Sequence, residues 1–428
     1  MAATRRKLLQ TIAGTASVVG LAGLAGCSSS CPDSDPPTPE ETISILADTR
    51  GPFETTPSGV WNGFAGDVGN TGYAGRSLPD GDLVVRWRID LALPDTDAGS
   101  LSASAPTVGE GLVLVADERR VHAHSLRSGD RRWATDEVSP TTDDAIAEYR
   151  SNTVAPVFGP AGTVLVGATD GLVALDPSDG SVRWRIGNMT RVSRPAVLDG
   201  TIIALGTERL VAIAPDGTEQ WRRPANRLSA PVPPAAGDDR IVYPSGDGVV
   251  ARDVERGSQT WVRDRQTETQ LVVDDGTAVL GNDEGLHAIE LDTGDPLWTF
   301  SRGEFRALLS PVVTPENIYA VEQPGEAGAA TFALDRTDRE PTPRWCSYVG
   351  SGAVTAATDD LALTTMSLGS GPDRAQSIVA FTAELGASPW AIEGGSHPRA
   401  WVTPPAIVAG AIVVTTRGGT VVAIGGAD

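Results

Sequence analysis

The sequence predicts an all-β protein, an eight-bladed β-propeller, from three observations: a repeated Ala-Gly-Trp motif, paired apolar runs, and a half-repeat at each end. The motif, for example AIELDTGDPLW at residues 288–298, keeps one spacing in five copies and recurs with small length changes in two more. Successive repeat tryptophans lie 37 to 51 residues apart, which is the length of a propeller blade. They are Trp87, Trp133, Trp184, Trp221, Trp261, Trp298, Trp345 and Trp390.

Each repeat is predicted to form four antiparallel strands. Upstream of the motif lie two apolar runs separated by a short turn, as in PAVLDGTIIALGTERLVAI at residues 195–213. Short Val/Ile/Leu-rich runs divided by Asp-Gly are typical of β-hairpins. The motif supplies the last two strands, and its Gly is expected to adopt the positive φ of the turn between them.

The two ends of the chain are predicted to complete one blade. DLVVRWRIDL at residues 82–91 contains Trp87 but has no repeat before it, whereas the last repeat stops after Ala423 without a tryptophan. Pairing these two segments would close the ring and leave no open sheet edge. The count is then eight blades, or seven if the degenerate repeat at residues 352–392 is not a blade.

We interpret the repeat tryptophans as packing residues between blades and not as ligand-stacking residues. A tryptophan buries a large apolar area and needs a partner for its indole N–H, and a small Ala on the facing blade would let the ring approach. Eight equivalents at one position of the repeat favour this structural role.

The repeat resembles that of the PQQ-like, quinoprotein-type β-propellers. Their tryptophan-docking motif has the order Ala, Asp, Thr-Gly, Trp, and LDTGDPLW at residues 291–298 is close to it. VWNGFAGDVGNTGYAG at residues 60–75 resembles the segment that precedes the first blade in many members. The resemblance covers residues 60–428 and implies the fold. It leaves two functions open, because these propellers include both dehydrogenases and non-enzymatic scaffolds such as BamB-type assembly lipoproteins.

The N-terminus is predicted to be a lipoprotein export signal, residues 1–26. A basic region precedes an apolar stretch at residues 12–26, which is short for a membrane span. Arg5 and Arg6 resemble a twin-arginine signal, used for proteins exported already folded. LAGC resembles a lipobox that would make Cys27 the lipidated first residue. The alternative is an uncleaved membrane anchor in which Cys27 is present by chance and is not lipidated.

The predicted domains follow from this signal. Residues 27–59 would form a disordered acidic and Pro-rich stalk after the lipidated Cys27, and residues 60–428 the propeller. The protein would then be extracytoplasmic and held by the lipid at the outer face of the cytoplasmic membrane.

The charge indicates a salt-rich environment. The chain has 55 acidic and 34 basic residues, a net charge of −21, and Lys7 is its only lysine. Removal of the signal would make the net charge −24, because three of the basic residues lie within it. Concentrated salt suppresses the repulsion between crowded carboxylates, so we expect a halophilic, archaeal source. Nucleic acid and anionic membrane surfaces are disfavoured as partners.

No catalytic, metal-binding or cofactor-binding residues are predicted. The resemblance implies, for PQQ-dependent alcohol dehydrogenases, an adjacent Cys-Cys pair, a calcium-binding set and a catalytic Asp, and none can be placed here by motif. His122 and His124 have the spacing of a metal-ligand pair on one side of a strand. They occupy core positions of the repeat, so packing is the preferred interpretation. His397 is the one histidine outside the repeat pattern.

Two further sequence features concern covalent modification. A disulfide between Cys31 and Cys346 is possible, but an unpaired, buried Cys346 is preferred. Asn188-Met189-Thr190 matches the N-glycosylation motif and is compatible with a surface loop.

The function is therefore expected to depend on a binding surface and not on a reactive site. Three long connections, residues 135–153, 320–334 and 366–381, are the predicted partner contacts, the alternative being solvated excursions without a ligand. The prediction is a monomeric, non-enzymatic interaction scaffold for an unknown protein partner. The alternative is a dehydrogenase that uses PQQ and calcium in the central funnel. A polysaccharide binder would need exposed aromatic residues on one rim, and the candidates outside the tryptophan motif, Tyr73, Tyr149 and Trp401, are few.

Overall fold

The computed structural model describes most of the chain from residue 37 onward. The described residues are 37–78, 82–91, 93, 103–135, 138–141, 154–226, 232–265, 267, 270–301, 311–322, 329–337, 340–350, 352–368, 375–395 and 400–427. The chain divides into two compact units, Met1–Ser30 and Cys31–Asp428, and all described residues belong to the second. Arg5, Arg6, Cys27, Cys31 and His397 lie outside the described residues.

Eight β-sheets form the eight blades of a propeller, which confirms the predicted fold class. We name the strands of each blade A to D; at most blade boundaries strand A contacts strand A of the next blade, so strand A lines the central channel. Blade 1 contains β3 (Thr107–Gly109), β4 (Leu112–Ala116), β5 (Val121–Ser125) and β6 (Arg131–Thr135). Blade 2 contains β7 (Val157–Gly159), β8 (Thr163–Ala168), β9 (Gly171–Leu175) and β10 (Val182–Ile186).

The middle blades repeat this four-strand pattern. Blade 3 contains β11 (Ala196–Leu198), β12 (Thr201–Leu205), β13 (Arg209–Ile213) and β14 (Glu219–Pro224). Blade 4 contains β15 (Ala235–Gly237), β16 (Arg240–Ser245), β17 (Gly248–Asp253) and β18 (Gln259–Arg263). Blade 5 contains β19 (Val272–Asp274), β20 (Thr277–Asn282), β21 (Gly285–Glu290) and β22 (Pro296–Phe300).

The last blades include the degenerate repeat, which forms a complete blade 7. Blade 6 contains β23 (Val312–Val313), β24 (Asn317–Glu322), β25 (Ala329–Asp335) and β26 (Thr342–Gly350). Blade 7 contains β27 (Gly352–Ala357), β28 (Leu361–Leu368), β29 (Ala375–Thr382) and β30 (Trp390–Glu393). Blade 8 contains β31 (Ala406–Val408), β32 (Ala411–Thr415), β33 (Thr420–Gly426) and, as strand D, β2 (Leu83–Asp90).

Pairing of β2 with β33 closes the ring as predicted. Trp87 lies opposite Ala423 across these two ends of the chain. Within blade 1, Trp133 lies opposite Ala123 in the same way. The closing blade therefore has the register of an ordinary repeat, so the eighth blade is shared by the two ends of the chain.

The repeat tryptophans dock onto the next blade. The indole N–H donates to a backbone carbonyl of that blade at 2.7 to 3.3 Å in six cases. The donor and acceptor pairs are Trp87 and Leu126, Trp133 and Pro177, Trp184 and Pro215, Trp221 and Val254, Trp261 and Leu291, and Trp345 and Ala383. The interpretation as packing residues agrees with this geometry.

One detail of that interpretation was wrong. The motif Ala lies beside the tryptophan in its own sheet, as Ala251 does opposite Trp261, and not on the facing blade. The residue that meets the ring across the interface is the motif Gly: a Cβ on Gly294 would lie 2.7 Å from the Trp261 ring. Gly294 has φ 74°, so it serves both the turn and the close approach.

A fifth strand covers blade 7. β1 (Glu41–Ser44) pairs in parallel with β30, and Ile43, Ile45 and Phe53 are buried. Described structure thus extends into the predicted stalk, before the predicted propeller boundary at residue 60. Alternating apolar residues next to an open edge strand explain the difference, because pairing covers that edge. A single 3₁₀ turn, Gly63–Ala65, is the only helix among the described residues, and no helix there could span a membrane.

The antiparallel order of each blade defines two faces. Because neighbouring strands alternate in direction, the A–B and C–D turns lie on one side, which we call the lower face. The B–C turns and the links between blades lie on the other side, the upper face. This division decides where the candidate functional segments are.

Candidate functional site

All three predicted contact segments belong to the upper face. Residues 135–153 link blades 1 and 2, whereas residues 320–334 and 366–381 span the B–C turns of blades 6 and 7. Strands β28 and β29 have eight residues each, longer than the five or six of strands B and C in blades 1 to 5. Residues 136–137, 142–153, 323–328 and 369–374 lie outside the described part of the chain. The long connections therefore share one face.

The lower end of the channel is occupied by the chain itself. Residues 58–74 hydrogen bond to strand A, or to residues next to it, in every blade. The contacts are Ser58 with Ala409 of blade 8, Trp61 with Val108 of blade 1, Asn62 with Phe158 of blade 2 and Arg194 of blade 3, Val68 with Ala236 of blade 4, Gly69 with Val273 of blade 5, Thr71 with Val313 of blade 6, and Gly72 and Ala74 with Ala357 of blade 7. We call residues 58–74 the axial segment.

Asn70 is the hub of the axial segment. Its side chain is 1% exposed; the amide donates to the carbonyls of Pro234 and Leu271, both at 3.2 Å, and the oxygen accepts from the Arg194 guanidinium. Arg194 also donates to the Asn62 carbonyl at 3.0 Å. One side chain thus joins blades 3, 4 and 5. Its φ of 59° is left-handed, a conformation that Asn adopts more readily than most residues.

Asp67 stabilises the part of the axial segment that contains Asn70. Its carboxyl accepts hydrogen bonds from the backbone N–H and the hydroxyl of Thr71. Burial raises the pKa of Asp67, although the hydrogen bonds from Thr71 and the Arg194 charge oppose this shift. The sequence indicated residues 60–75 only as the segment before the first blade. Its contacts with all eight blades were missed, and the Asp-Asn-Thr set among glycines was the available signal.

The paired histidines are buried in β5, strand C of blade 1. His122 and His124 are each 7% exposed; His122 Nε2 lies 2.7 Å from the Asp117 carboxylate, and His124 Nδ1 lies 2.9 Å from the Gly129 carbonyl. Each ring therefore has its own protein partner, as the packing interpretation requires. Within the described ranges, no three His, Cys, Asp or Glu side chains are grouped closely enough to hold a metal ion.

His287 gives a pH-dependent prediction. Burial, with the Arg265 guanidinium beside the ring, lowers the pKa of His287 from 6.5 to about 4, although Glu284 and Asp283 oppose the shift. The unfolded chain binds this proton at a higher pH than the folded chain does, so the free energy of unfolding should fall as the pH falls from 6.5 towards 4. Urea unfolding in high salt at pH 7 and pH 5 measures this. In His287→Gln the fall should be smaller, and an equal fall would contradict the assignment.

Cys346 differs from the prediction. It lies in β26, half-buried, and is disulfide-bonded. The preferred unpaired state was therefore wrong. The chain has only two other cysteines, Cys27 and Cys31, and both lie outside the described residues. Sequence separation gives no guide to such a pair, because a disulfide depends on the distance between the two Cα atoms in the fold.

Trp298 and Trp390 lack the indole hydrogen bond to the next blade among the described residues, and the interface of Trp298 also has a different turn. The turn that faces Trp298, residues 335–341, is two residues longer than in the regular copies and has no glycine. By comparison with the other copies, the Trp298 indole N–H would donate to the Arg336 carbonyl. No hydrogen bond to that indole forms within the described part of the chain. A cavity of about 510 Å³ opens there between blades 5 and 6, with Ile318, Glu340 and Pro341 in its wall.

The aromatic residues outside the motif have internal partners. The Tyr73 hydroxyl donates to Asp359, and this hydrogen bond raises the pKa of Tyr73 to about 12. The Arg417 guanidinium lies 5.2 Å from the centre of the Trp401 ring. Tyr149 lies outside the described residues.

The sequence profile of one protein family matches this chain at residues 68–171, 157–264 and 206–338. The family is described as outer membrane protein assembly factor BamB, and together the matches cover more than half of the chain. The chain belongs to the BamB family. The PQQ-like propeller predicted from the tryptophan motif is thereby confirmed. No curated protein is similar enough to count as a relative.

Several solved structures are similar to this chain. BamB from Moraxella catarrhalis is 14% identical with a TM-score of 0.48, and the match covers 80% of this chain and all of that one. Quinohemoprotein alcohol dehydrogenase from Comamonas testosteroni is 15% identical, covering 86% of this chain and 80% of that one, with a TM-score of 0.60. A europium-containing methanol dehydrogenase is 12% identical, covering 87% and 98%, with a TM-score of 0.60. At such identities the two dehydrogenases support the fold alone.

Proposed function

We propose that this BamB-family propeller is an exported, lipid-anchored scaffold that binds a protein partner at the outer face of the cytoplasmic membrane and catalyses no reaction. One observation carries the proposal: the three long connections lie on the upper face, whereas the axial segment occupies the lower end of the channel. The upper face is then the surface left for a partner. The description of the family as an assembly factor supports an interaction role.

The path of the chain supports an orientation in which the lower face is turned towards the membrane. Strand D runs from the lower to the upper face, and β1 is parallel to it, with Glu41 opposite Trp390. The chain therefore joins the ring from the lower face. Cys27 and Glu40 are thirteen positions apart, an extended reach of at most about 45 Å. A lipid on Cys27 would direct the lower face towards the membrane and leave the upper face to the partner.

Site-specific photo-crosslinking tests the scaffold. The full chain would carry p-benzoylphenylalanine in place of Glu137, Glu326 or Asp373, one in each long connection, in a halophilic host. Replacement of Asp179, in the exposed C–D turn of blade 2 on the lower face, is the matched control. We expect one shared crosslinked partner from the upper-face positions and none from Asp179.

Two results would overturn the proposal. The first is an equal yield of crosslinks from Asp179, or none from any of the three connections in membrane-anchored protein. The second is saturable one-to-one binding of PQQ with calcium in a calorimetric titration of the folded protein, which would favour a dehydrogenase.

A further inference from the structure

A modification motif lies on the upper face between blades 2 and 3. Of the seven asparagines in the chain, only Asn188 is followed at the second position by Ser or Thr, in Asn188-Met189-Thr190. This is the acceptor pattern for N-linked glycans in exported proteins. We propose that Asn188 carries an N-linked glycan whose first sugar lies in the cavity beside it. The inference rests on the export part of the proposed function.

The fold presents both polar residues of the motif to solvent. Asn188 and Thr190 are exposed, whereas Met189 between them is 4% exposed and packs among Val192 and Ile202. The buried Met189 holds the segment to the core and turns its two neighbours outward. This matters because a twin-arginine substrate crosses the membrane folded, so its acceptor has to be accessible in the folded chain.

The Asn188 side chain is available for the reaction. The residue's one hydrogen bond within the described part of the chain uses its backbone carbonyl, which accepts from Arg222 at 3.4 Å. The amide nitrogen that would form the bond to the sugar has no protein partner there. In Asn70, which has the same φ of 59°, the side-chain amide is buried and fully engaged.

The second observation is the cavity. A concave site of about 420 Å³ adjoins Asn188, and Thr169, Asp170, Glu208 and Arg209 line it. Its volume lies within the range of small-ligand sites. Two carboxylates, a guanidinium and a hydroxyl can hydrogen bond to the several hydroxyls of a sugar ring. A sugar attached at Asn188 would reach these groups without any change in the fold.

Asn188 also has a purely structural explanation, which the variants must separate from modification. Its left-handed φ suits Asn, and Gly suits it better still. Asn188→Gly therefore keeps the backbone and removes the acceptor. Thr190→Val removes the motif hydroxyl at nearly constant shape, and Thr190→Ser preserves the motif.

The test uses the full chain produced in a halophilic host that N-glycosylates its exported proteins. Mass spectrometry of the peptide that contains Asn188 should show a glycan in the wild type and in Thr190→Ser, and none in Asn188→Gly or Thr190→Val. The fate of Cys27 is read in the same sample. Exported, lipidated chain without a glycan overturns the modification alone, whereas chain retained in the cytoplasm with an intact signal overturns both proposals.

Hydrogen exchange tests the placement of the sugar. The backbone amides of Asp170 and Arg209 should exchange several-fold more slowly in the glycosylated wild type than in Asn188→Gly. The backbone amides of exposed turns elsewhere, such as the turn at Asp179, should exchange at equal rates in the two proteins. Equal exchange at Asp170 and Arg209 in the two proteins would show that the sugar does not lie in the cavity.

Discussion

Replacing Asn70 with alanine is expected to lower the free energy of unfolding by about 3–5 kcal/mol, the cost of breaking a buried charged hydrogen-bond set. Alanine would leave the Arg194 guanidinium without its acceptor on Asn70 and the carbonyls of Pro234 and Leu271 without their donor. These groups belong to three blades, so the loss should weaken the contacts of the axial segment with the ring. Chemical unfolding at equilibrium in high salt measures the change.

Asn188→Ala is the matched control for Asn70→Ala. Both asparagines have φ 59°, but Asn188 is exposed and its side chain has no hydrogen bond within the described residues. When wild type and variants are all produced without a glycan, the control should cost only the left-handed backbone preference, about 1 kcal/mol. Similar losses in the two variants would mean that Asn70 contributes through its backbone conformation and not through the bonds that join the blades.

Gly294→Ala is expected to lower the free energy of unfolding by about 2–5 kcal/mol, the sum of a left-handed alanine and an overpacked interface. The new Cβ would lie 2.7 Å from the Trp261 ring, which donates its indole N–H to the Leu291 carbonyl at the same distance. The ring would have to move, and the hydrogen bond between blades 4 and 5 would lengthen. Equilibrium unfolding and the near-ultraviolet circular dichroism of the tryptophans measure the two effects.

Gly200→Ala controls for the backbone term. Gly200 has φ 81°, close to the 74° of Gly294, but a Cβ there would meet nothing within 4 Å. Its loss should be about 1 kcal/mol, with an unchanged tryptophan spectrum. If Gly294→Ala were no worse than this control, the close contact between glycine and tryptophan would not stabilise the interface.

The sequence predicted most of the fold because the information is local and repeated. Each copy carries its own strands, turn glycine and tryptophan, so the spacing from Trp133 to Trp390 gives both the blade architecture and the count. Trp87 at one end and the unfinished repeat at the other were enough to predict ring closure. The histidines were assigned to packing by the same comparison of repeat positions, and the hydrogen bonds of His122 and His124 agree with that role.

The candidate surface was predicted only in part. Comparing repeat lengths identified the long connections, but their place on one face follows from strand direction in the folded blades. The two-residue extension before Trp345 was also visible in the sequence, yet its effect, a cavity beside Trp298 on the preceding blade, requires the interface between the two blades. The glycosylation motif can be recognised in the sequence. The exposure of Asn188 and the polar cavity beside it are known only from the folded structure.

The sequence by itself thus determined the all-β propeller, its eight blades and the packing role of its tryptophans, since these arise from short-range periodicity. Only the tertiary structure decided the role of Asn70, the pairing of β1 with β30, the disulfide state of Cys346 and the cavity beside Asn188. The physical reason is separation along the chain: Asn70 bonds to residues 124, 164 and 201 positions away. No local pattern encodes such pairs, because closure of the ring brings them together.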